Sequence, residues 1–458
     1  MFSKETYINR RAALKKSMGS GLLLFLGNDE AGCNYVGNTY RYRQDSTFLY
    51  FFGQPYAGLS AVIDIDDDRE IIFGDELTMD DIVWMGVQPT LQEKCSAAGI
   101  GELMPSSAVM DYIKKAQQKG QQVHYLPSYR PEHKLKLWSW LGVHPGEEKS
   151  SAAFIKAVVN LRNYKSDEEI AEIEKACLVT ADMHLAAMRT IRPGIHEYEV
   201  VAAVEAIASS QNCGLSFPMI ATVNGQTLHN HYHGNLIKDG DLFLVDAGAE
   251  TEMCYAGDMS STIPANHKFT TKQRDIYAIQ TAMHNKSVEA LRPGITFEDV
   301  YDISAQVLVE GMKEIGLMRG DAAEAVKEGA HALFYPHGLG HMMGLDVHDM
   351  ENLGEVYVGY DGRPKSKQFG RASLRLGRTL EPGFVHTIEP GIYFIPELID
   401  QWKSDNKLAD FINYDKVETY KGFGGIRNEE GYLITETGAR LLGKRIPRTV
   451  EEIETLFD

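Results

Sequence analysis

A chain of 458 residues exceeds one ordinary domain of roughly 100–200 residues and predicts two or three. Its apolar fraction of 43% and charged fraction of 24% are those of a globular protein able to bury a large core. The formal charge of −18, with no basic block set against it, argues against nucleic acid and membranes as partners, because such a surface repels phosphate backbones and anionic lipid. Cys33, Cys95, Cys177, Cys213 and Cys254 are scattered, odd in number and never form a Cys-x-x-Cys pair, which points to a reducing compartment. The N-terminal MFSKETYINRRAALKKSM has no apolar stretch ahead of its charges, and residues 21–27 (GLLLFLG) are too short to span a membrane. A cytoplasmic protein is expected.

The first 150 or so residues mix helix and strand. Residues 8–17 carry charge and helix formers. GLLLFLG, SAVIDI (60–65), EIIFG (70–74) and QQVHYL (121–126) read as short buried strands. A boundary is expected near 145–165, where HPGEEKSS is polar and turn-like. Just beyond it, Ser166-Asp167-Glu168-Glu169 has the form of a capping box opening a long helix.

The second half repeats itself. Arg192-Pro193-Gly194-Ile195 recurs as Arg292-Pro293-Gly294-Ile295, and the same register aligns Met183 with Met283, His184 with His284, Glu199 with Asp299 and Val200 with Val300. In both copies a helix should stop at Pro-Gly and another start within a few residues. Two related α/β halves facing each other, with the site between them, are predicted.

The residues that carry chemistry begin in DLFLVDAGAETEMCYAGDMSSTIP (241–264), whose alternating ends read as strands about a polar middle. Folded as a hairpin centred near residue 252, this segment brings Asp246 and Asp258 opposite each other, with Cβ atoms about 5 Å apart. Two buried carboxylates so close share a proton or bind metal, whereas on a surface turn both would simply be solvated, so a metal reading needs further ligands. Residues 336–349 (PHGLGHMMGLDVHD) follow with His337, His341 and His348, among glycines that argue for loop rather than helix. His386-Thr387-Ile388-Glu389 then places an acid at the end of an apolar strand, and Gly425-Ile426-Arg427-Asn428-Glu429-Glu430 sets Glu429 beside Arg427. The ordered set Asp246, Asp258, His341, Glu389, Glu429 is four carboxylates and one imidazole. It suits two divalent ions such as manganese, cobalt or zinc.

These motifs (DAGAE, YAGD, HGLGH, GLDVHD, IEPGIY and GIRNEE), in this order and spacing, resemble the proline-specific branch of the pita-bread metallopeptidases, namely prolidase and aminopeptidase P. RQDSTFLYFFG (43–53) is similar to the creatinase-like amino domain of that branch. The resemblance implies an α/β (α+β) fold. Residues 1–155 would form a creatinase/aminopeptidase P-like N-terminal domain, and residues 156–458 a pita-bread catalytic domain with an internal pseudo-two-fold repeat.

It further implies a hydrolase of the bond between an N-terminal residue and proline, with two metal ions, Mn(II) foremost and Co or Zn as alternatives. Asp246 would hold one metal, Asp258 and Glu429 would bridge both, and His341 and Glu389 would complete the second. The metals would lower the pKa of a shared water. His348 would be the oxyanion partner, and Glu389 would also carry the proton to the proline nitrogen. His337 would line the proline pocket with His229 or His231, ungapped counting favouring His229. Arg427 would orient Glu429 and contribute to substrate binding. Arg375 stands where prolidases bind the free carboxylate of a dipeptide, so Xaa-Pro dipeptides are the favoured substrates. Longer peptides, as for aminopeptidase P, are the alternative, and a non-catalytic peptide-binding domain is a remote one. Short Xaa-Pro peptides and a second copy in a homodimer are the expected partners. Asn428 and the pair Met342-Met343 depart from the family pattern beside ligands, which puts pocket shape rather than metal binding in question. Cys254 reads as a small packing residue.

Overall fold

The computed structural model describes residues 1–147 and 149–456. The chain divides into two compact units, one of residues 1–162 with 350–357 and one of residues 163–349 with 358–458.

The smaller unit is built on a five-stranded mixed sheet. Its order in space is Glu102–Met104, Arg69–Phe73, Ser60–Asp64, Leu22–Leu26, Val123–His124. The run LLLFL forms the strand Leu22–Leu26, antiparallel to Ser60–Asp64 and parallel to Val123–His124. Leu22, Leu23, Leu24 and Phe25 are all buried, as a strand needs to be when both of its faces are covered. Leu22 and Leu24 pack with Val62, Ile71 and Phe73 and with the helix residues Val109, Ile113 and Leu137. The expected strand at 121–126 is reduced to Val123–His124, and the helix expected at 8–17 runs over Lys4–Met18. In RQDSTFLYFFG the Asp45 side chain caps the helix Ser46–Phe52, which Gly53 ends in a left-handed conformation.

The larger unit carries the repeat as two helix pairs, Asp167–Thr190 with Glu197–Ser210 and Thr271–Ala290 with Phe297–Glu314. Ser166 and Glu169 form the expected capping box at the first pair. Thr270 and Gln273 form its counterpart at the second, so the correspondence extends to the caps. Gly194 and Gly294 both take positive φ, 92° and 88°, where the Arg-Pro-Gly turns reverse the chain. His184 and His284 are both buried. Beside the helices lie a sheet ordered Ser260–Pro264, Leu242–Asp246, Ile220–Thr222 and another ordered Val385–Ile388, Glu430–Ile434, Ala439–Leu441. Gly391–Tyr393 pairs with Gly425–Arg427 in a two-stranded ribbon.

The hairpin is less regular than the sequence implied. Asp246 pairs with Ser260 rather than with Asp258, because the chain breaks the ladder after Asp246 and forms a separate short strand, Ala249–Glu250. Cys254 sits in the turn with left-handed backbone, φ 65°, not on a strand. Parity survives: Asp246 and Asp258 line the same cavity. Among the described residues no helix is long and apolar enough to cross a membrane.

Candidate active site

Strand ends, one loop and one ribbon deliver the polar residues of the larger unit to a cavity of about 520 Å³. Asp246 ends its strand, Glu389 follows Val385–Ile388 and Glu429 follows Gly425–Arg427. The His337–His341 stretch is the predicted loop. It lies flat on the strand behind it, for a Cβ on Gly340 would stand 2.2 Å from the Thr387 carbonyl oxygen. The His341 amide donates to Thr387 Oγ1 (3.2 Å) and the Thr387 amide to the His341 carbonyl (3.0 Å), which pins the imidazole above the floor.

Asp246, Asp258, His341 and Glu429 are buried, and Glu389 is partly open to the cavity. Ligand atoms of Asp258, His341 and Glu429 lie within 4.8 Å of one another. The His341 Nδ1–H donates to the Met342 carbonyl (3.0 Å), which in the neutral ring leaves the lone pair on Nε2. That lone pair faces Asp258 Oδ2 at 3.3 Å and Glu389 Oε1 at 3.7 Å. Asp246 Oδ1, Asp258 Oδ1 and Glu429 Oε1 are buried without a hydrogen-bond partner. An imidazole lone pair among buried carboxylate oxygens is repulsive unless positive charge stands between them. Oxygen and imidazole donors of this kind fit a divalent cation.

The electrostatics agree. Burial, followed by the Asp246 charge, raises the Asp258 carboxyl well above its ordinary range. Burial, with Asp258 and Glu389 next, does the same for Glu429. Glu389 is pushed up to about 7, chiefly by burial, with Arg427 opposing and Asp258 and Asp246 adding to the rise. The buried Arg427 guanidinium of this cavity is shared out. Arg427 Nη2 donates to Asp246 Oδ2 (2.6 Å), Nη1 to the Tyr393 hydroxyl (2.8 Å) and Nε to Ser260 Oγ (3.0 Å), while Ser260 Oγ donates to Glu429 Oε2 (2.8 Å). Arg427 therefore holds Asp246 directly and reaches Glu429 only through Ser260.

The remaining predicted residues converge on the same cavity. His229, His231, His337, His348, Arg375 and Arg427 all line it, so both candidate histidines of the 228–233 segment are present. The His348 ring lies against His341, with centroids 4.0 Å apart. His337 donates from Nδ1 to the Gly338 carbonyl (2.7 Å) and accepts at Nε2 from the Tyr393 hydroxyl (2.9 Å). Burial, then Arg427, lowers its pKa to about 3, so the ring is a neutral wall. Burial, then Arg427, also lowers His229. Arg371 pairs with Asp302 and Arg378 lies over Phe384 at 5.0 Å, whereas Arg375 reaches the cavity. Asn428 points away, donating to Gln280 Oε1 (2.6 Å) and accepting from the Thr262 amide (3.1 Å). Met342 and Met343 are buried and, like Asn428, outside the cavity lining.

Sequence reasoning passed over Ser260 and Tyr393. Ser260 shares strand parity with Asp258, and Tyr393 sits inside the IEPGIY motif; neither type is a metal ligand, which is why neither drew notice.

Comparison with known proteins gives the same result. The model of metallopeptidase family M24 matches residues 171–436, and that of the aminopeptidase P N-terminal domain matches residues 7–125. The human Xaa-Pro dipeptidase is 29% identical over 95% of this chain and 88% of its own length. The Xaa-Pro aminopeptidase of Escherichia coli K12 is 30% identical over 99% of this chain and 98% of its own. Among solved structures, Escherichia coli aminopeptidase P in complex with substrate superposes with a TM-score of 0.81 at 29% identity, covering 99% of this chain and 98% of that one. A family model spanning more than half its length, a full-length relative at 30% identity and a buried Asp/His/Glu cluster in the expected cavity together establish that this chain belongs to metallopeptidase family M24.

Proposed function

We propose that the chain is a proline-specific metallopeptidase that hydrolyses the Xaa-Pro bond of short peptides, with Xaa-Pro dipeptides as its preferred substrates. The observation that carries this reading is the convergence of five ligand-type side chains on the floor of one cavity whose wall includes Arg375. Its relatives carry both the dipeptidase and the aminopeptidase names.

Asp246, Asp258, His341, Glu389 and Glu429 would hold two divalent ions, of which manganese suits this oxygen-rich set and cobalt or zinc would serve. When bound, the ions supply a lowered pKa for water and polarisation of the scissile carbonyl. Glu389 is the most open of the four carboxylates and stands where it can take a proton and return it to the proline nitrogen. That nitrogen has no hydrogen of its own in the substrate, so its departure as an amine requires one. His348, beside His341, donates to the carbonyl oxygen as negative charge builds there. His337 and His229 wall the proline ring. Arg427 fixes Asp246 and, through Ser260, Glu429. Arg375 grips the substrate carboxylate with paired charge-assisted hydrogen bonds. Residues 1–155 act as the N-terminal domain and 156–458 as the catalytic one, in a cytoplasmic homodimer. The five free cysteines accord with a reducing compartment.

The test is hydrolysis of one Xaa-Pro dipeptide beside a longer Xaa-Pro peptide and an amidated Xaa-Pro, with Mn(II), for wild type and Arg375→Ala. A contact worth about 1.5–3 kcal/mol predicts a KM for the dipeptide raised roughly ten- to a hundred-fold, with little change for the amide. Equal small effects on all three substrates would remove Arg375 from the substrate site. Efficient cleavage of the extended peptide, indifferent to Arg375, would make the enzyme an aminopeptidase.

A further inference from the structure

Immediately after His348 comes Asp349, a carboxylate outside the ligand set whose side chain is 1% exposed. Its Oδ2 lies 2.7 Å from Lys165 Nζ, also on a side chain 1% exposed, 184 residues earlier in the chain. A fully buried ion pair is a poor source of stability, because the cost of drying two charges consumes most of their attraction. Its position says more than its energy. The Asp349 amide donates to the Met342 carbonyl at 2.9 Å, and Asp349 Oδ1 accepts from the Asp346 amide at 3.2 Å. The first of these bonds joins the residue after His341 to the residue after His348, which sets the two imidazoles side by side at 4.0 Å. Loop backbone rests directly on the pair: a Cβ on Gly344 would meet Asp349 Oδ2 at 2.7 Å and Lys165 Cε at 2.8 Å. Lys165 is itself anchored by its amide to the Gly383 carbonyl (2.9 Å), two residues before the strand Val385–Ile388 that leads to Glu389.

We propose that Lys165 and Asp349 form a positioning pair for the reaction, fixing the closed 342–349 loop so that His348 meets the substrate carbonyl oxygen; this rests on the role given to His348 above. Neither residue is part of the cavity lining. Both act through the loop. A displacement of His348 of about an ångström is enough to lower a rate by as much as a hundred-fold.

The test separates positioning from stability. Removing one partner strands a buried charge, so Lys165→Met or Asp349→Leu alone should lower Tm markedly. The double variant Lys165→Met/Asp349→Leu buries neither charge and should recover most of that Tm. Positioning predicts that the recovered double variant keeps wild-type metal content and a KM within about threefold, while kcat stays at least tenfold low. Recovery of kcat together with Tm would show the pair to be structural only and overturn the proposal. Loss of kcat in proportion to loss of metal would overturn it as well. Should the double variant not fold, Lys165→Arg keeps the charge on a wider head. It should retain metal and lower kcat, and an unchanged kcat again overturns the proposal. A wild-type protein without Xaa-Pro hydrolysis would instead sink the proposed function, so the two failures are distinct.

Discussion

Stripping the cations from this site should make folding stability fall as pH rises, and Glu389 supplies a magnitude. In the unfolded chain its carboxyl ionises near 4.5, whereas in the folded, cation-free chain burial holds it at about 7. The native state therefore binds more protons than the unfolded state between those values. The favourable term is fully present below about 4.5 and is lost as pH climbs through 7. At about 1.4 kcal/mol per pH unit, the interval amounts to about 3 kcal/mol. For a unit of this size, at roughly 2–4 °C per kcal/mol, that is a Tm lower by about 6–12 °C at pH 8 than at pH 5. Thermal unfolding in excess chelator should be followed at both pH values for wild type and for Glu389→Gln, which keeps the shape and cannot ionise. The variant should gain on wild type by about that amount between pH 5 and pH 8. A Tm difference between the two proteins that does not change with pH would refute the reasoning.

Three further outcomes are expected. Asp258→Ala and Glu429→Ala should each lower activity by orders of magnitude and release metal, as read by elemental analysis beside the peptide assay. His348→Ala should keep its metal and lose mainly kcat, because a donor to the developing oxyanion acts in the transition state; stoichiometric metal loss would make His348 a ligand instead. Leu24→Ala, in the core of the smaller unit, should cost about 2–5 kcal/mol in denaturant unfolding with the site untouched.

Local signals carried most of what the sequence revealed. The capping box at Ser166, the glycine-rich loop of 336–349 and the repeated Arg-Pro-Gly turns depend on neighbours within a few residues, and each appears in the structure as read. In the hairpin of 241–264 the structure keeps the parity that alternation implies but shifts the register, because the extra strand at Ala249–Glu250 absorbs residues that a simple hairpin would pair. Arg427 has its main partner, Asp246, 181 residues away, a contact that nothing in the GIRNEE motif encodes. Lys165 was invisible for the same reason. A lysine before a helix cap reads as solvated until the fold brings Asp349 to it.

The way the ligands are divided along the chain has a kinetic consequence. Asp246 and Asp258 lie between the two helix pairs, while His341, Glu389 and Glu429 follow the second pair. Each repeat begins from its own capped helix, so each can start to order from local contacts, but neither half alone holds a complete cation site. Bringing Asp246 to Glu429 closes a loop spanning most of the larger unit, an entropic cost met only when both halves have docked. Metal capture is therefore expected late in folding. Refolding begun in chelator should reach a compact, cation-free protein at nearly the same rate, and catalytic activity should then follow the moment of metal addition.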